Sequence, residues 1–185
     1  MTEGSASRIT AVQLTGAAAS YRTQLNAPHG ASELRGLFLA GGEEQCTVRL
    51  HTAHHAPDCR SESVVKGVAG GTATGRFDGL VYVAPDAQRT DAVQQSRNVL
   101  LSDTAHIDTL PQLEIYADDV RCSHGATVGQ MDDEAILYMR QRGLSLSEAE
   151  RLQIEGFVED ILAHSTEEPV RSFMEGLVAA KLGRL

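Results

Sequence analysis

The sequence predicts a mainly β body followed by a helical tail, an α+β chain whose two kinds of structure are segregated. Three observations carry this. Short runs of alternating apolar and polar residues recur from residue 8 to about 127, separated by turn residues and free of helical pattern. From Asp132 onward the period becomes that of amphipathic helices, complete with capping signals. Aromatic residues make up only 4% of the 185-residue chain while glycine occurs 17 times, which suits many tight turns and disfavours an aromatic-rich sandwich.

The strands are read, in order, at residues 9–14, 20–25, 33–39, 46–51, 61–66, 73–77 and 79–83, with 112–116 closing the series. Alternation shows in Val12/Leu14 and again in Leu113/Ile115. Turn signals stand between the strands: Ala40-Gly-Gly-Glu43, Ala56-Pro-Asp58, Gly70-Gly71, Asp78-Gly79 and Ala84-Pro-Asp86. Many short strands without intervening helices allow a barrel, a sandwich or a β-solenoid, and no short repeat separates the three.

The tail reads more directly. Residues 132–142 carry Ala135, Ile136 and Met139 on one helical face, and Gly143 terminates that helix. Ser145-Leu-Ser-Glu148 is a capping box opening a helix that buries Ile154, Phe157, Val158 and Ile161. Thr166-Glu-Glu-Pro169 starts a third, with acids suited to the positive end of the helix dipole. Its apolar stripe is Val170, Phe173, Met174, Leu177 and Val178. Such stripes predict packing on one another and on the β body. The last helix, short, terminal and strongly striped, also suits docking into another protein's groove.

Composition excludes several classes. A formal net charge of -9 lacks the basic footprint of nucleic-acid binding and is unsuited to anionic membrane surfaces. No apolar run approaches a membrane span, and the first residues have neither the basic start nor the apolar stretch of a signal peptide. Cys46, Cys59 and Cys122 form an odd, widely spaced set without a disulfide framework. A cytoplasmic protein with reduced thiols is expected.

Cys122 and His124 stand two apart, so an extended backbone puts both on one face, a thiolate and an imidazole side by side. That donor pair suits zinc or an iron–sulfur centre better than magnesium or calcium, and it needs further ligands from elsewhere. His51, His54, His55 and Cys59 form a second zinc-like cluster, but the spacing matches no closed four-ligand pattern. Gly70-Gly-Thr-Ala-Thr-Gly75 lacks the ending and the following helix of a phosphate loop. The acid pairs Asp118/Asp119 and Asp132/Asp133 have turn and cap roles to fill. No catalytic constellation is assembled.

From Ser61 to Thr127 the residues form ordered blocks. These include Lys66-Gly67, Gly75-x-Phe77-x-Gly79, Val83-Ala-Pro-Asp-Ala-Gln88, Thr90-Asp-Ala92, Ser96-Arg-Asn98 and Leu100-Leu-Ser-Asp103. They continue through Asp108-Thr-x-Pro-Gln-Leu-Glu-Ile-Tyr-Ala-Asp-Asp-Val120, Cys122-Ser-His-Gly-Ala-Thr-Val-Gly129, Asp133-Glu-x-x-x-Tyr138 and Arg142-Gly143. This series resembles the SufD branch of the SufB/SufD iron–sulfur cluster assembly scaffolds, with Gly125 and the run Tyr116-Ala-Asp-Asp-Val120 favouring SufD over SufB. The resemblance implies a right-handed parallel β-helix over residues 1–130 and a small helical domain for ATPase docking over residues 131–185.

It also implies a non-enzymatic scaffold that pairs with a SufB-like paralogue and docks a SufC-like ATPase. Contacts with partners are expected at Tyr116, Val120, Phe157, Val170, Phe173, Met174 and Leu177. His124, with Cys122 beside it, is expected to reach a transient iron–sulfur cluster shared with the paralogue; no tightly held cofactor is expected. Two departures stand out. Family members run to more than twice this length, so the chain is expected to be shortened at its N-terminal side, and Leu110 takes the place of an expected Lys. The alternatives are a zinc-binding enzyme using His51, His54, His55 and Cys59, or a protein-interaction module that holds no metal.

Overall fold

Strand register decides between the three β architectures. In the computed structural model, which describes residues 3–165 and 167–185, nine strands alternate between two sheets. β1 (Ala6–Gln13), β3 (Ala31–Ala40), β5 (Arg60–Ala69), β7 (Asp91–Leu100) and β9 (Arg121–Gln130) form one sheet in that order. β2 (Ala18–Leu25), β4 (Gln45–His54), β6 (Thr74–Val83) and β8 (His106–Ile115) form the other. Every pairing is parallel, so the chain winds as a two-sheet β-solenoid of about four turns, as the family resemblance implied.

Alternation within each strand sends one set of side chains into the coil. Leu34, Phe38, Val48, Leu50, Val65, Phe77 and Ile107 pack there as one apolar cluster. Phe38 illustrates the fit. A Cβ on Gly67 would collide with its ring, and one on Gly75 would lie 2.6 Å from it, so two glycines in neighbouring strands open the space one aromatic ring fills. The corners fall where the Gly-Gly and Pro-Asp signals predicted, with Gly42 and Gly71 in the left-handed region at φ of 61° and 66°. Asp58 and Arg89 also adopt positive φ on the opposite side, and the Arg89 guanidinium holds both carboxylate oxygens of Asp58 at 2.6 Å.

Three sequence expectations require correction. Asp78-Gly79 is not a turn: β6 runs unbroken through it, because Gly79 lies inside the coil where a larger residue would meet Gln94. β7 was not anticipated, since its inward residues after Ala92 are Gln94, Ser96 and Asn98 rather than apolar groups. The series also does not end at residue 116, because β9 follows.

The helices are α1 (Asp133–Gln141), α2 (Leu146–Ala163) and α3 (Glu168–Leu182). Asp132 caps α1, accepting from the backbone N–H of Glu134 and Ala135, and the Ser145/Glu148 capping box opens α2 as expected. Thr166 lies outside the described residues, and Glu167 is the N-cap of α3. The tail folds back along the outer face of the five-stranded sheet. There Leu37, Leu39, Val64 and Val68 meet Ile154, Val158, Ile161, Leu162 and Val178. Lys66, buried within this seam, donates to the Phe157 carbonyl at 2.6 Å and the Asp160 carboxylate at 2.7 Å. Lys181 donates to Glu44 at 2.6 Å and, with the Gly41 N–H, holds the Glu44 carboxyl below its usual range.

Candidate functional site at the open end of the solenoid

Because the tail lies along the side of the solenoid, it leaves the last coil open. β8 and β9 are the edge strands there, and among the described residues no strand pairs beyond them. Register carries the inward rows out to this end. Leu34, Ser63, Gln94 and His124 stack in one column, and Ser32, Ser61, Ala92 and Cys122 in the next. Cys122 and His124 therefore share a face, as their spacing predicted, and that face belongs to the interior. In earlier coils such positions are sealed by the next turn. His124 remains exposed because, among the described residues, no further strand pairs with β9.

The two donors differ in environment. His124 is exposed on the open edge. Cys122 is half-buried against Ala92, Val81, Val83 and Ala117, and burial pushes its thiol above the ordinary value, with Asp91 adding to the effect. The thiol is thus protonated at neutral pH, and ligating through it would require deprotonation in an apolar setting. The imidazole is the readier donor.

Around them lies an apolar rim that sequence reasoning only partly found. Tyr116 is 59% exposed, and its ring packs at a tilt against Tyr82 with centroids 5.7 Å apart, Tyr82 in turn lying 5.6 Å from the His55 ring. Val120 is half-buried beside Cys122. Leu110, Ile115 and Val128 are also exposed and fall outside the expected contact set. Alternation could have found Ile115 and Val128, which continue buried inward rows past the last covered coil.

The helical positions divide. Val170, Phe173 and Leu177 form an exposed stripe on α3, with Phe173 67% exposed. Met174 and Phe157 are half-buried in the seam, Phe157 with Lys66 Nζ 4.6 Å from its ring centre. The zinc-like cluster is dispersed. His54 is sealed inside the coil with Nε2 2.8 Å from Ser61 Oγ, whereas His55 faces out onto Tyr82. Cys59 is buried near the Ala27 carbonyl. Among the described residues no three His, Cys, Asp or Glu side chains converge as a metal cage.

The comparisons decide the family. The family model described as the SufBD core domain of the SUF system for FeS cluster assembly matches residues 2–157. The chain belongs to the SufBD family. Its SufBD relatives include the iron–sulfur cluster assembly protein SufD of Escherichia coli, 39% identical over 75% of this chain and 33% of that protein. A SufBD family protein of Mycobacterium leprae is 34% identical over 87% of this chain and 42% of its own length. Another, from Synechocystis, is 36% identical over 71% and 29%. The chain thus spans less than half of each of these SufBD proteins and fits their SufD-like C-terminal part. Among the described residues no helix is long and apolar enough to cross a membrane.

Proposed function

We propose that the chain is a non-enzymatic scaffold subunit of iron–sulfur cluster assembly, working at its open coil with a SufB-like paralogue and through α3 with a SufC-like ATPase. The observation that carries the reading is His124, an inward position of the solenoid left exposed on its last coil, whose edge strands also expose Ile115 and Val128, with Tyr116 just after β8. Apolar rims around an uncovered strand edge suit docking against another protein. A nascent cluster, the cargo of the assembly, would take one imidazole from His124, and thiolates from the paralogue would complete its ligands. Mixed imidazole and thiolate ligation is established iron–sulfur chemistry. Cys122 would serve only on deprotonation and is the secondary candidate.

His124→Ala is expected to lower cluster loading of the assembled complex roughly tenfold, a loss of the order seen when metal-site groups are removed. Iron and acid-labile sulfide content, with the visible absorption band, measures this. Unchanged loading would end the ligand proposal, and unchanged partner binding with it would leave a metal-free interaction module.

For the ATPase contact, the exposed stripe on α3 is the supporting feature. Phe173→Ala should weaken ATPase binding by roughly tenfold or more, as truncation of an aromatic anchor does, while thermal stability stays within about 0.5 kcal/mol. Removing the helices altogether would be a poor substitute, because it strips the cover from Leu37, Leu39, Val64 and Val68. Equal affinity in calorimetry would exclude the stripe as the contact.

A further inference from the structure

Polar contacts to the first coils of the solenoid hold α3 at both of its ends. Ahead of its start, His164 closes α2 as the C-cap, with its side chain only 10% exposed. Nε2 of His164 lies 3.2 Å from the Glu33 carboxylate of β3, and Nδ1 lies 2.9 Å from the Thr10 hydroxyl of β1. A carboxylate only accepts, so Nε2 carries a proton, and in the neutral ring Thr10 donates to Nδ1. Arg8 donates to the same Glu33 oxygen at 3.2 Å, tying the acceptor back to β1. At the far end, Lys181 in the last turn of α3 is 13% exposed and donates to Glu44 at 2.6 Å. Glu44 also accepts from the Gly41 N–H at 2.9 Å, within the β3–β4 corner. Leu185 is seated on that corner too: a Cβ on Gly41 would lie 2.7 Å from its Cδ2.

Between these two points α3 packs into the seam through Met174, Val178 and Leu182, while Val170, Phe173 and Leu177 stay exposed. Apolar burial has no direction, so it would hold the helix almost as well if turned about its axis or slid along the sheet. Charged and hydrogen-bonded groups with little exposure allow one arrangement, whereas leucine or methionine would fill the same places without setting one. We infer that His164 and Lys181, through Thr10, Glu33 and Glu44, are positioning residues for α3: they set its rotation and line so that Val170, Phe173 and Leu177 form one preformed face. A preformed face spares a partner the cost of ordering it on binding. The inference rests on the reading of this stripe as the ATPase contact. It adds the base on which the stripe stands, at the opposite edge of the five-stranded sheet from β9.

The test uses the full chain with spin labels carried by unnatural residues at two exposed positions, Ala179 on α3 and Gln112 on β8. Pulsed electron paramagnetic resonance then reads the distance distribution between helix and solenoid. A single narrow distribution is expected in the wild type. His164→Leu combined with Lys181→Met keeps the seam filled, so the fold is retained, and is expected to broaden the distribution about twofold. The same double variant should bind the ATPase about fivefold more weakly in calorimetry, with the exposed stripe untouched. Exchanging the charges, Lys181→Glu with Glu44→Lys, should recover the narrow distribution that Lys181→Glu alone loses. A distribution as narrow in the double variant as in the wild type would overturn the inference, as would a broadened one with unchanged ATPase affinity. The distance readout needs no ATPase. Full affinity in Phe173→Ala would therefore sink the docking reading while leaving the positioning of α3 by its two pins to be read separately.

Discussion

His54 shows how a single side chain can carry a pH dependence into the whole fold. It is sealed inside the coil, bonded through one nitrogen to Ser61 while Nδ1 has no partner among the described residues. Desolvation, assisted by the neighbouring His55, pushes its pKa from 6.5 down to about 4. The unfolded chain therefore takes up a proton near pH 6.5 that the folded chain refuses, so stability is full above that pH and is lost as pH falls toward 4. The loss approaches about 3 kcal/mol at the low end, from about 1.4 kcal/mol per unit. Glu33 and Glu44, whose carboxyls are held low by His164 and Lys181, lose their contributions only as pH falls through 4.5 and below. Urea midpoints measured from pH 7.5 to 5 isolate the histidine: they should fall in the wild type and stay flatter in His54→Leu. Equal slopes would remove His54 as the cause. The same residue explains why the apparent zinc cluster misleads, since adjacent His54 and His55 face opposite sides of the chain, and spacing alone does not reveal which side is interior.

At the scale of elements, legibility followed chemistry. The helices could be read because caps and stripes are local, and Asp132, Ser145 and Glu148 make the contacts their positions imply. The corners could be read from Gly-Gly and Pro-Asp pairs. β7 could not, because an interior lined by Gln94, Ser96 and Asn98 erases the apolar alternation by which a strand is recognised. Asp78-Gly79 misled in the opposite direction, the glycine serving a neighbouring side chain rather than a bend. Gly67 has a comparable role beside Phe38 and yields a prediction about strand packing. Gly67→Ala should cost about 1–3 kcal/mol in chemical denaturation, the range for forcing extra volume into a filled core. Pairing it with Phe38→Leu should recover part of that loss. A silent Gly67→Ala would mean that the ring has room to move aside.

The whole molecule is a solenoid with its helical tail bound to one side and its last coil left free. Periodicity could not choose this over a barrel or sandwich, because alternating strands look alike in all three. The coils also differ in length: the step from Ala6 to its partner Ala31 is shorter than that from Arg60 to Asp91, which blurs any repeat. The ordered blocks of family residues imply the same solenoid that the register shows. Side packing of the tail has a functional consequence. It joins α2 to β5 through Lys66, Phe157 and Asp160, so a protein bound on α3 and one bound at the open coil would act on a single packed body.

His124 is proposed to supply a nitrogen to a cluster formed where the open coil meets its partner. Pulsed electron paramagnetic resonance on the reduced, cluster-loaded complex addresses it most directly, with only this chain carrying nitrogen-15 histidine. The account predicts a strongly coupled nitrogen-15 signal that vanishes in His124→Asn. A loaded cluster with no such coupling, or one whose coupling survives the substitution, would contradict it.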